Sequence, residues 1–169
     1  MLIKNEQLDN NMKRQKQIIN KLLKKPENKY CADCKNNPPI WASINLGIFI
    51  CINCSGCHRE LGAHISKIKS INLDLWPLDA LENFKKIDNK IANDYWEYHL
   101  NNIDFNIIKN ERDKIMQFIR DKYENKKWIN INDIDPMQKI HQNINSINNG
   151  EDYNFNWNFF NQKKDNSSK

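Results

Sequence analysis

The sequence predicts a mostly helical chain whose short strands gather at a cluster of cysteines. Three observations point there. All five Cys fall between residues 31 and 57, four of them as two CxxC pairs. Between the pairs, Ile44, Leu46, Ile48 and Ile50 share one parity, the mark of a strand. Before and after the cluster, apolar residues recur at helical spacing. The 169 residues suit one domain with a tail.

Residues 6–25 read as a first helix. Leu8, Met12, Ile18, Ile19, Leu22 and Leu23 approximate one apolar stripe, Lys24 and Lys25 sit where a helix C-terminus favours cations, and Pro26 ends it. Residues 41–50 form a strand or a pair of short strands, with Gly47 as bend or bulge. Ser55 is read as the N-cap of a short helix running to Leu61, with Gly62 at its C′ position. Ile68 to Leu73 is a second strand candidate. A helix opens at Pro77 and Asp79, carrying Leu78, Leu81, Phe84 and Ile87. Two more cover 91–100 and 111–124, the last with Ile115, Phe118, Ile119 and Tyr123 facing inward. Residues 131–169 read as an Asn-rich, weakly ordered tail, with nine Asn among the final 29 positions. Within it Tyr153, Phe155, Trp157 and Phe159 alternate, followed by Phe160. They are read as a partner-binding segment, as a fold-back onto the domain, or as aromatics without a role.

Composition narrows the function classes. Asn, Ile and Lys number 29, 24 and 22 while Val is absent, as an AT-biased genome would write them. No apolar run approaches the length of a membrane span, and the N-terminus lacks the apolar core of a secretory signal. The expected location is therefore cytoplasmic. Net charge is +5, and the first 30 residues, with eight basic and three acidic side chains, account for all of it. Lys13, Arg14, Lys16, Lys21, Lys24 and Lys25 are either a solvated helix face or a peripheral contact with anionic membrane.

The cysteine spacing is C-x2-C-x16-C-x2-C, through Cys31, Cys34, Cys51 and Cys54. Two such knuckles offer four thiolates to one tetrahedral ion, so a single structural Zn2+ is expected. Four thiolates leave no open position for water, which excludes catalytic zinc. Cys57 is read as a small buried hydrophobe, with a fifth ligand as the alternative. A nucleic-acid finger is disfavoured, because Ser55 to Leu61 carries a single Arg.

These residues then resemble a family. CADC at Cys31–Cys34, PIWAS at Pro39–Ser43, LGIFICINCSG from Leu46, CHRELGAHIS from Cys57 and LDLW from Leu73 form a continuous pattern. It is similar to the zinc-finger domain of Arf GTPase-activating proteins. LLKKPEN before the first knuckle, NKIANDYWE from Asn89 and FIRDKYE from Phe118 extend the likeness over residues 6–130, and look most like the stromal membrane-associated subgroup. The resemblance implies an α+β fold, a small zinc-stabilised sheet among about five or six helices. It implies GTPase activation on an Arf-type GTPase in its GTP-bound state, in vesicle traffic at Golgi or endosomal membranes. The chain would not be an enzyme in its own right. As a monomer it would lend a catalytic Arg to its partner's active site.

By position, that arginine finger is Arg59, five residues after the fourth cysteine. Only four Arg stand in this Lys-rich chain, which favours a requirement for a guanidinium. The resemblance makes Trp41 a platform for the finger, with core filling as the plainer role. It makes Ile52 an apolar contact, and Leu73 and Asp74 a supporting pair, Asp74 being alternatively a helix cap. Departures from the pattern are Cys57, Asp88 before Asn89, and Asn101 after Leu100. The competing function is a non-catalytic zinc-finger module that recruits Arf or coat proteins.

Overall fold

A computed structural model describes residues 2–101, 103, 105 and 111–148. Helix α1 spans Leu2–Leu23 and a 3-10 turn follows at Pro26–Asn28. Strands β1 (Trp41–Ser43) and β2 (Ile48–Ile50) lead into helix α2 (Ile52–Leu61), and β3 (Ile68–Ser70) completes the sheet. Helices α3 (Leu78–Lys86), α4 (Asn89–Trp96), α5 (Arg112–Tyr123) and α6 (Pro136–Asn148) follow. The described residues thus hold a three-stranded antiparallel sheet, ordered β2-β1-β3, and six α-helices.

The expected strand over 41–50 is a pair. Residues 44–47 form the turn between them, and Gly47 sits at φ 69°. A Cβ there would meet Ile87 and Met137 side chains at 2.8 Å, so both conformation and space demand glycine. The turn breaks the alternation, which is why Ile44 packs with Phe49 and not with Ile48 and Ile50.

The sheet separates two cores. Trp41 pairs with Ile50 and Ser43 with Ile48, so these four share the face toward α2, α4 and α5. That core includes the cysteines, Leu61, Trp96, Phe118, Ile119 and Tyr123. Ala42 and Phe49 point the other way and meet Trp76, Leu81 and Phe84, with Ile19 and Leu22 of α1 closing the layer.

Two asparagines tie the helices to the sheet edge. Asn89 Oδ1 accepts from the Phe49 N–H at 2.7 Å, while its Nδ2 donates to the carbonyls of Tyr30 and Phe49. Asn28 Oδ1 accepts from the Asn89 N–H and its Nδ2 donates to Leu22 O. Asp88 caps α4 by accepting from the Ile91 N–H at 2.9 Å, which starts this helix at Asn89, two residues before the expected 91.

Two further expectations change. Helix α2 starts at Ile52 with Cys51 as its N-cap, not at Ser55. The second knuckle itself makes the first helical turn, and Ser55 Oγ donates back to Ile52 O. The segment read as a weakly ordered tail contains α6. Met137, Ile140 and Ile144 supply its stripe, Asn83 bonds His141, and Met137 is 3% exposed. Residues 149–169, with the aromatic run from Tyr153 to Phe160, lie outside the described residues. Met137→Ala is expected to cost about 2 kcal/mol. A urea titration checks this by a lower midpoint at unchanged slope; an unmoved midpoint would show that α6 adds nothing to the core.

Candidate functional site

The first knuckle is a tight turn. The Lys35 N–H returns to Cys31 O at 3.1 Å, with Lys35 in the left-handed region at φ 56°. The Asp33 N–H points at Cys31 Sγ, 3.5 Å away. The second knuckle joins the end of β2 to α2, where the Ser55 N–H donates to Cys51 O. Together they gather Cys31, Cys34, Cys51 and Cys54, all buried, with every sulfur within 4.8 Å of the others. Cys34 and Cys51 sulfurs lie 3.7 Å apart. A tetrahedral ion with Zn–S bonds of about 2.3 Å sets sulfur separations of about 3.8 Å, so the donor set and its size fit zinc.

Burial and hydrogen bonds among the four crowded sulfurs shift their proton affinities in opposite directions. Burial, and then hydrogen bonds from Cys34 and Cys51, push Cys31 well above an ordinary thiol. Hydrogen bonds with the other three cysteines push Cys54 up as well and pull Cys34 down. Cys57 is 1% exposed and does not belong to the four-sulfur group. Burial raises its thiol too, as expected of a small apolar filler.

A buried polar network holds the first knuckle against α5, and no sequence pattern announced it. Asp33 Oδ1 accepts from Lys122 Nζ at 3.0 Å and from the Tyr123 hydroxyl at 2.8 Å. Its Oδ2 lies 2.9 Å from His58 Nε2, and His58 Nδ1 lies 2.8 Å from Ser66 Oγ. Lys122 Nζ also donates to Glu97 and Asn93. Burial alone would raise the Asp33 carboxyl; the Lys122 ammonium and the His58 contact outweigh it and hold it well below the usual range. Burial likewise works against the Lys122 charge, and Asp33 and Glu97 more than restore it. Such a pair gains little net stability, but stranding either partner costs about 3–5 kcal/mol.

Arg59 lies one turn beyond the second knuckle, on the exposed side of α2. Its guanidinium carbon stands 4.2 Å from the Trp41 ring centroid, and Nη1 donates to Ser55 Oγ at 3.2 Å. Ile52 is seven residues earlier, hence on the same helix face, and is 57% exposed. Trp41 is half-buried in β1, and its indole N–H has no acceptor among the described residues. The Trp thus packs against the core and also carries the Arg59 guanidinium against its ring.

Leu73 and Asp74 follow β3, whose Ser70 pairs with Trp41 across the sheet. Leu73 is 81% exposed. Asp74 Oδ2 accepts from the Ser70 N–H at 2.6 Å. It braces the turn and caps no helix, since α3 starts at Leu78 behind Pro77. No bond joins it to Arg59 among the described residues. The fold thus brings Arg59, Trp41 and Ile52 together and places Leu73 and Asp74 at the other flank of β1.

A family model described as "Putative GTPase activating protein for Arf" matches residues 16–132. The chain is 45% identical over 125 residues to "Probable ADP-ribosylation factor GTPase-activating protein AGD15" of Arabidopsis thaliana, covering 74% of this chain and 51% of that protein. It is 45% identical over 118 residues to "Stromal membrane-associated protein 1" of Homo sapiens, covering 69% of this chain and 25% of that protein. The chain thus spans a quarter to about half the length of these curated relatives. Among solved structures, "ArfGap domain of HIV-1 Rev binding protein" matches at a TM-score of 0.64 over 79% of this chain and 97% of that one. At 23% identity this is a likeness of fold.

Proposed function

The chain belongs to the ArfGap family, and from that membership we propose that it accelerates GTP hydrolysis by an Arf-type GTPase in its GTP-bound state. Arg59 is the residue it lends. Hydrolysis spreads negative charge over the transferred phosphoryl oxygens, and a guanidinium inserted in trans stabilises that charge. The observation that supports this role is the Arg59–Trp41 contact, an exposed planar cation held 4.2 Å from the centre of an aromatic ring. Stacking presets the direction of a long side chain that would otherwise lose more rotamer freedom on docking.

Ile52, exposed on the same face, is the apolar contact beside the finger, and Trp41 meets the partner at its rim. Leu73 offers a second apolar contact across β1, and Asp74 keeps its turn in place. Cys31, Cys34, Cys51 and Cys54 hold one Zn2+ in a closed structural site, which fixes the start of α2 and so the position of Arg59. We place this activity in vesicle traffic, at Golgi or endosomal membranes. Single-turnover GTP hydrolysis by a panel of Arf proteins, with and without catalytic amounts of the chain, tests the reading. Acceleration of none of them would reject it.

Cys57→Ser is expected to leave metal content at the wild-type value, since that sulfur stands apart from the four. Metal analysis of the purified variant decides, and loss of zinc there would make Cys57 a ligand.

A further inference from the structure

We propose that the outer face of α1, together with the turn after β3, is a docking surface for an anionic lipid bilayer. From Asn10 to Lys25, α1 and the turn after it carry Lys13, Arg14, Lys16, Lys21, Lys24 and Lys25 and no carboxylate. Gln15, Ile19 and Leu22 bury its inner side, so the cations project outward; five are exposed and Lys25 is half-buried. Among the described residues none of the six forms an ion pair. On α4, α5 and α6 the pattern is the opposite. There Lys90, Arg112, Lys114, Arg120, Lys122 and Lys139 each have a carboxylate partner. Unpaired positive charge is therefore dense on this face and absent from α4, α5 and α6 among the described residues.

The second observation is apolar. Gln15 Nε2 donates to Asp74 O and its Oε1 accepts from the Trp76 N–H, both at 2.7 Å. These bonds clamp the turn after β3 to the middle of α1. Trp76 is turned inward, which leaves Leu75 43% and Leu78 60% exposed on and just after the turn that Gln15 holds against α1. A bilayer of negative headgroups uses both features at once, cations at the phosphate level and leucines at the acyl boundary. A nucleic acid would engage the cations and leave the leucines in water, which is why lipid is the better fit.

The test is sedimentation of the full chain with phosphatidylcholine vesicles, with and without about one third phosphatidylserine. Binding to the anionic vesicles alone is expected, weakening as salt rises. Each lysine is worth about fivefold at such a surface, so Lys13→Glu, Lys21→Glu and Lys24→Glu combined should weaken binding at least about hundredfold. Leu75→Ser with Leu78→Ser should weaken it about tenfold while keeping the salt dependence. Both variants should still activate a soluble GTPase as the wild type does, which separates this surface from the Arg59 site. Equal binding to neutral vesicles, binding to neither, or full binding by the lysine variant would overturn the assignment. So would a leucine variant that binds fully while single-stranded RNA displaces the vesicles, which would make the face a nucleic-acid surface.

Discussion

Arg59→Ala is expected to lower GTPase activation by about 10³–10⁵, the span that a trans guanidinium supplies to phosphoryl transfer. Arg59→Lys should lose nearly as much. Lysine keeps the charge but not the planar fork that reaches two oxygens at once, nor the flat face that rests on Trp41. The fold should barely notice either change. Arg59 is exposed, and its stack on Trp41 at an open site contributes about 0.5–1 kcal/mol. Thermal unfolding and zinc content therefore serve as controls beside single-turnover hydrolysis. An Arg59→Ala protein that folds, keeps its metal and still activates at near wild-type rates would sink the finger assignment.

Metal removal is expected to have the largest effect on folding. The four sulfurs sit at the junction of the first knuckle, β2 and α2, inside the core that also holds Trp96 and Phe118. Zinc binding to small Cys-ligated modules is worth about 10–16 kcal/mol at neutral pH, comparable to the whole stability of a domain. Chelation, or Cys54→Ser, should abolish cooperative unfolding and leave α2 without a fixed start. The pH dependence has a definite sign. Burial and the crowded neighbouring sulfurs favour the protonated thiol at Cys31 and Cys54, so metal uptake must release protons. Affinity should fall as pH is lowered, and proton release on zinc addition can be read directly by titration. A chelated protein with unchanged cooperative unfolding would show that the metal is not structural.

The cysteine cluster was legible because its ligands come in local pairs, and spacing within a pair is a sequence property. The same holds for α1, α3 and α5, whose apolar stripes are long enough to count. Helix α2 was misplaced at its start because a metal knuckle replaces the usual Ser cap. Met137, Ile140 and Ile144 do recur at helical spacing, but Asn-rich surroundings of low helix propensity masked them. Packing onto Gly47 and Ile87 overrides that propensity. The Asp33–Lys122 pair could not be read at all. Each looks like an ordinary surface charge, and only the tertiary fold shows that both are fully buried. Arg59 and Trp41 were both singled out, and paired, through the family resemblance; the distance between them, 4.2 Å, comes from the turn of α2 over β1.

The same pair sets a clock on synthesis. Asp33 and Lys122 are 89 residues apart, so at about 5–20 residues per second the ribosome delivers the lysine about 4–18 s after the aspartate. The fourth cysteine follows Asp33 by 21 residues, and for the rest of that interval the knuckles can close on an ion. The Asp33 carboxylate has no ammonium to meet and must stay in water. The first knuckle therefore remains hydrated on one side until α5 arrives and expels that water. A nascent chain halted before Lys122 would hold its metal in a half-wet site, with that step of burial still owed to α5.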